Sequence, residues 1–213
     1  MMANSFFDTD NGLMKWNFES VIKETEHPFL NFYTVNYKVL KQEGVKDHHY
    51  FLASRKDTND LRAVSHDYRN PDGVIIGLYR LVNGKLEILL TKQFRPPVGD
   101  YVFSISAGLI DPGEDLFEAA KREAKEEVGV DELHDIEILT PFSPTSSGMS
   151  DEANAFIMAR VDKQEGNDLE EFEDISSCFV PIDKILEMFK NPKYIFPLHV
   201  RVWVMYMAER FKN

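Results

Sequence analysis

The alternation of apolar and polar positions divides the 213 residues into three stretches. The first, up to about Asp67, holds β-rich runs at Phe32 to Leu40 (FYTVNYKVL) and Tyr50 to Ser54 (YFLAS), separated by polar turns, and predicts a small strand-built N-terminal piece. The second opens with Gly73 to Val82 (GVIIGLYRLV), turns at Asn83-Gly84 and returns as Lys85 to Phe94 (KLEILLTKQF). Asn-Gly accepts the positive φ angles of a type I′ turn, so these runs predict a β-hairpin. A strand over Val102 to Ser106 leads into a loop, Gly108 to Glu114, and then into a helix. Asp115 with Glu118 makes a capping box at its start, Gly129 closes its end, and Leu116, Ala119, Ala120, Ala124 and Val128 share its apolar side. Strands follow at Ile136 to Phe142 and Ala155 to Val161, then an acidic stretch from Glu165 to Asp174 that reads as a solvated loop. The third stretch predicts two helices, Ile182 to Phe189 and Leu198 to Phe211, bounded by Pro181, Pro192 and Pro197. Strands around a few helices point to a mixed α/β (α+β) layered sandwich.

Length and composition narrow the picture. At roughly 100 to 200 residues per domain, the chain suits one main domain, residues 68–213, with a smaller β-rich region, residues 1–67, before it. Apolar residues make up 43% of the chain, enough to offset chain entropy over most of its length. The net charge of −12 repels polyanions and anionic lipid, which argues against nucleic-acid and membrane partners. One cysteine, Cys178, excludes an intrachain disulfide and a Cys-based zinc site; it fits a reducing compartment and reads as a small buried apolar residue. The opening MMANSFFDTDNGLMK lacks a basic start followed by an apolar run, and no segment reaches the ~18 apolar residues of a membrane span. A cytoplasmic location is expected.

Stability alone would not choose the end of the Asp115 helix. Glu123, Glu126 and Glu127 share one face at i,i+3 and i,i+4 spacings, where like charges cost about 0.2–0.5 kcal/mol per pair. Carboxylates in the last turn also meet the negative end of the macrodipole, at about 0.3–1 kcal/mol each. Arg122 and Lys125 could neutralise part of this on a solvated Glu/Lys surface. The preceding loop adds Asp111 and Glu114, however, and such an oxygen-rich cluster suits a hard divalent cation, Mg²⁺ in particular, held by carboxylates together with substrate phosphates.

Gly108, Glu114 and the run Arg122-Glu123-Ala124-Lys125-Glu126-Glu127-Val128-Gly129-Val130 resemble the Nudix box at all its fixed positions over 23 residues. Lys92 to Pro97 (KQFRPP) and Ala107 to Asp111 (AGLID) are similar to the ADP-ribose pyrophosphatase branch of that superfamily, and a looser resemblance runs from about Phe32 onward. The resemblance implies an α/β/α sandwich of Nudix type with a small β-rich N-terminal subdomain. It also implies a hydrolase that uses Mg²⁺, or Mn²⁺ in its place, to cleave the diphosphate of a nucleotide sugar. Glu123 and Glu127 are the expected metal ligands, with Glu126 as ligand or neighbour, the Ala107 carbonyl completing the site and Arg122 orienting the acids. Gly148 to Glu152 (GMSDE) resembles the branch's mobile loop and nominates Glu152 to assist water attack.

For the substrate, Arg95 is the expected phosphate contact, since a guanidinium fork fits phosphate oxygens, and Arg55 is a weaker candidate of the same kind. Tyr50 or Phe51 would suit a stack on the base, a contact that this branch often makes across a homodimer interface, with core or surface packing as the other reading of both. His48 and His49 are adjacent, so an extended backbone sends them to opposite faces and a shared metal is not expected. Two places depart from the family pattern: Ser106 stands where many members have proline, which predicts a softer loop, and Ser143 to Ser147 (SPTSS) is longer and richer in serine. ADP-ribose is the favoured substrate. Other nucleoside diphosphate derivatives, nucleoside triphosphates, or a non-catalytic module that senses a nucleotide metabolite are the alternatives.

Overall fold

The structure is a computed structural model that describes residues 14–41, 43–166, 169 and 174–212. The opening residues 1–13 and most of the acidic run between Glu165 and Asp174 lie outside the described residues. The chain divides into two units, Met1–Asn70 with Pro144–Ala153, and Pro71–Ser143 with Asn154–Asn213.

The first unit is built on an antiparallel sheet in the order β1 (Lys15–Lys23), β2 (Asn31–Lys41), β3 (Gly44–Ser54). Tyr33, Val35 and Leu52 pack with Leu61, which precedes a one-turn helix, α1 (Arg62–Ser65). The sequence reading found β2 and the end of β3 but not β1, whose alternation is broken by a register shift between Phe18 and Ser20. A bulge of this kind displaces the period-two pattern by one residue. His48 and His49 face opposite sides as expected: His48 lies edge-on to Trp16, and His49 Nδ1 lies 2.5 Å from Asn36 Oδ1.

In the second unit the predicted hairpin forms between β4 (Gly73–Val82) and β5 (Lys85–Arg95), with positive φ at Asn83 and Gly84. The single strand expected over Val102 to Ser106 is two: β6 (Asp100–Ser104) pairs with β5 and β7 (Ser106–Leu109) pairs with β4. The chain steps from one partner to the other at the buried Ile105. After α2 (Leu116–Val128) come β8 (His134–Pro144), β9 (Ala153–Arg160), which runs parallel to β4, and β10 (Ile175–Pro181) on the far side of β5. β10 was not anticipated. Cys178, on this strand, is exposed rather than buried as expected. Two helices, α3 (Ile182–Met188) and α4 (Leu198–Arg210), end the chain.

Alternation along β4 explains the layers. Val74, Ile76 and Leu78 point to the face covered by Ala119, Ala120, Ala124 and Val128 of α2. Ile75 and Tyr79 point to the other, where Ile185 of α3 and Val200, Trp203 and Met207 of α4 pack. The result is an α/β/α sandwich within this unit. Its α2 layer consists largely of alanines on the sheet side, which lets the helix backbone lie close to β7 and β4.

Candidate active site

The helix acids, Arg122 and Ala107 of the second unit gather where α2 passes β7. Asp115 caps the helix by accepting from the Phe117 and Glu118 amides, the Glu118 carboxylate accepts from the Asp115 amide in return, and Gly129 ends the helix in the left-handed region. With both ends fixed, the last turns carry Glu123, Glu126 and Glu127 at a set rotation relative to β7.

Arg122 organises two of these acids. Its Nη1 donates to Glu123 Oε1 at 2.8 Å and to Glu126 Oε2 at 3.2 Å. Its Nε and Nη2 form a fork on the two Glu114 oxygens at 2.9 and 3.0 Å, and Nη2 also donates to the Leu109 carbonyl at 2.9 Å. These contacts, led by the Glu114 hydrogen bond, raise the Arg122 pKa well above its ordinary value. The same hydrogen bonds hold the Glu114 carboxyl below the usual carboxylate range, against the opposing effect of burial.

Glu127 is held differently. It is 7% exposed, and its Oε2 accepts from the Ser106 hydroxyl at 2.6 Å and from the Ala107 amide at 3.0 Å. Ser106 therefore adds a side-chain tether where a softer loop was expected. Glu123 reaches over Gly108 so closely that a β-carbon built there would lie 1.9 Å from its Cδ. Only glycine leaves that space to the carboxylate.

Among the described residues, no three His, Cys, Asp or Glu side chains converge as a ready metal cage: Glu123 and Glu126 reach to Arg122, and Glu127 to Ser106 and Ala107. The donor set nevertheless fits a hard divalent cation, because three carboxylates within two helical turns and a nearby β7 backbone offer only oxygen. Mg²⁺ needs only one or two direct carboxylates, with water and phosphate completing its shell.

Arg95 lies exposed at the end of β5, where its carbonyl accepts from the Val98 and Gly99 amides in a tight turn. The other three predicted residues belong to the first unit and cluster around residues 144–153. Arg55 pairs with Glu152, Thr145 Oγ1 lies 3.3 Å from Glu152 Oε1, and the Tyr50 hydroxyl donates to the Gly148 carbonyl at 3.1 Å. Phe51, the alternative to Tyr50, is stacked against Phe32.

Sequence reasoning overlooked Arg62, which is 6% exposed and secures the same segment. Its Nε donates to the Asp151 carbonyl at 2.8 Å, its Nη2 donates to the Asn70 carbonyl at 2.9 Å, and its Nη1 reaches the Asp67 carbonyl. Its backbone amide donates to Asp151 Oδ2 at 3.1 Å. No spacing along the chain links Arg62 to Asp151, so nothing local marks it.

The NUDIX domain model matches residues 71–199. The chain is 53% identical over 60 residues to the ADP-ribose pyrophosphatase of Saccharomyces cerevisiae, a match covering 27% of this chain and 26% of that protein. It is 28% identical over 137 residues to the ADP compounds hydrolase NudE of Escherichia coli, covering 64% of this chain and 72% of that one. A crystal structure of an ADP compounds hydrolase superposes with a TM-score of 0.66 at 18% identity, over 93% of this chain and 95% of that one, and so shares the fold. The family model spans more than half of the chain, and the chain belongs to the Nudix hydrolase family.

Proposed function

We propose that the protein is a Mg²⁺-dependent diphosphatase that cleaves a nucleoside diphosphate sugar, with ADP-ribose the favoured substrate and AMP and ribose 5-phosphate the products. The arrangement of the three helix acids, Glu123 and Glu126 on Arg122 and Glu127 on Ser106 and Ala107, is the observation that carries this reading. The relatives named for ADP-ribose and ADP compounds support the substrate class. Glu123 and Glu127, with Glu126 beside them and the Ala107 carbonyl, would hold the cation, which supplies a water of lowered pKa and neutralises charge on the diphosphate. Arg122 keeps Glu123 and Glu126 oriented. Arg95 serves the phosphates as a fork, and Arg55 is the second candidate, sharing its guanidinium with Glu152. Glu152 assists water attack, and Tyr50 offers a flat surface to the base.

The substrate is a small molecule, and the −12 charge disfavours nucleic acid. A homodimer through the N-terminal sheet is part of the proposal: Phe32 is 45% and Phe51 58% exposed and they stack on one face of that sheet, and contiguous apolar surface of this kind marks interaction sites. No helix among the described residues is long and apolar enough to cross a membrane. The lone cysteine supports a reducing, cytoplasmic setting.

Assays of nucleoside monophosphate formation from ADP-ribose and a panel of nucleotide sugars, with and without Mg²⁺, test the proposal. Absence of Mg²⁺-stimulated turnover on every member would end it. Glu127→Gln should lose several orders of magnitude in turnover while folding normally, and near-full activity in that variant would overturn the metal assignment.

A further inference from the structure

We propose that Ser106 is a positioning residue for Glu127, presetting its carboxylate for the cation. This inference rests on the reading of the helix acids as metal ligands. Ser106 opens β7 and is 2% exposed, so its hydroxyl has no bulk water to turn to. It donates at 2.6 Å to Glu127 Oε2, the same oxygen that the Ala107 amide reaches at 3.0 Å. Two donors on one oxygen fix both the rotamer and the plane of the carboxyl group. Glu123 and Glu126, by contrast, share one arginine nitrogen, and the Glu126 side chain is 45% exposed.

The hydroxyl adds a second direction of restraint to that of the backbone amide on the same oxygen. Glutamate is among the side chains that lose the most rotamer entropy when fixed. A ligand already fixed before the cation arrives spares that loss at the moment of binding.

The test measures Mn²⁺ alone, by electron paramagnetic resonance on the full chain without substrate, for the wild type, Ser106→Ala and Ser106→Thr. Thermal unfolding is followed in parallel in EDTA and in Mn²⁺. Loss of a group that orients a metal ligand typically weakens metal affinity by about 10- to 100-fold. Ser106→Ala is expected to bind Mn²⁺ at least tenfold more weakly and to gain less thermal stability from it, with Ser106→Thr within threefold of wild type.

A Ser106→Ala protein that melts lower in both buffers yet binds Mn²⁺ like wild type would show a purely structural serine and overturn the proposal. A folded Ser106→Thr protein as weak as alanine would overturn it too. Ser106→Cys, similar in volume but a poor donor, replaces alanine if that variant does not fold, and wild-type affinity in it counts against the tether. A wild-type protein that takes up no Mn²⁺ at all defeats the metal reading itself, and this inference with it.

Discussion

Gly108→Ala separates folding from function more sharply than removal of any acid. Gly108 does not occupy the left-handed region, so its backbone accepts alanine, and the change should by itself hold stability level or raise it by roughly 0.4–1 kcal/mol through the unfolded chain. The new methyl group, however, would sit 1.9 Å from the Glu123 carboxyl carbon, where ordinary contact begins at 3.4 Å, so the carboxylate must retreat by about 1.5 Å. The retreating group is the flexible end of a side chain, so the fold yields cheaply while the 2.8 Å bond to Arg122 is lost. A displacement of about 1 Å can cost about 10²-fold in rate, or about 2.7 kcal/mol in the barrier. The assay is Mg²⁺-dependent turnover of ADP-ribose beside urea unfolding, on Gly108→Ala, Glu123→Gln and the double variant. The double variant should be no slower than Glu123→Gln alone, because both changes remove one interaction. Turnover within threefold of wild type in Gly108→Ala, or fully additive losses in the double variant, would refute the claim that this glycine exists to admit Glu123.

Other substitutions probe the frame around the site. Arg62→Met leaves the Asp67, Asn70 and Asp151 carbonyls without this donor and should cost about 3 kcal/mol or more in urea unfolding, with earlier proteolysis of residues 144–153. Gly129→Ala combines φ +64° with a β-carbon 2.3 Å from the Glu165 carbonyl oxygen, so it should cost more than the roughly 1 kcal/mol of an ordinary left-handed substitution. Unfolding midpoints read this directly. The Asp67 carboxyl is held down to about 2 by the Arg69 amide and then by the Asn70 side chain and amide. Its depressed value means that its contribution is complete above the unfolded pKa near 3.8 and is lost as pH falls from about 4 to about 2. Asp67→Asn should flatten the stability curve in that window and leave it parallel to wild type above pH 5.

What could be read from the sequence follows the range of the interactions. The capping box, the type I′ turn and the alanine face of α2 are local, and the structure has all three. β1 escaped because one bulge hides its alternation. β7 was merged with β6 because a chain that changes partners mid-run shows no polar break. The acids and Arg122 were visible as a misfit, negative charge placed at the negative end of a helix. Ser106 was noticed only as a departure from a pattern, since its partner lies 21 residues away. Arg62 and Asp151, 89 residues apart, left no trace.

The misfit itself can now be accounted for. Like charges on the last turns of α2 cost energy in isolation, and the three acids meet compensating donors of two origins. Arg122 serves Glu123 and Glu126 from the helix itself, while Glu127 takes its donors from β7. The second kind of compensation depends on how near the helix lies to the strand. Ala119, Ala120 and Ala124 are fully buried against the sheet, and larger residues there would hold the helix farther off. From such a distance the Ala107 amide could not reach Glu127, and Gly108 would no longer need to be glycine. The small residues on the buried side of α2 thus set how the neighbouring carboxylates meet β7, and packing and chemistry along this helix are a single constraint.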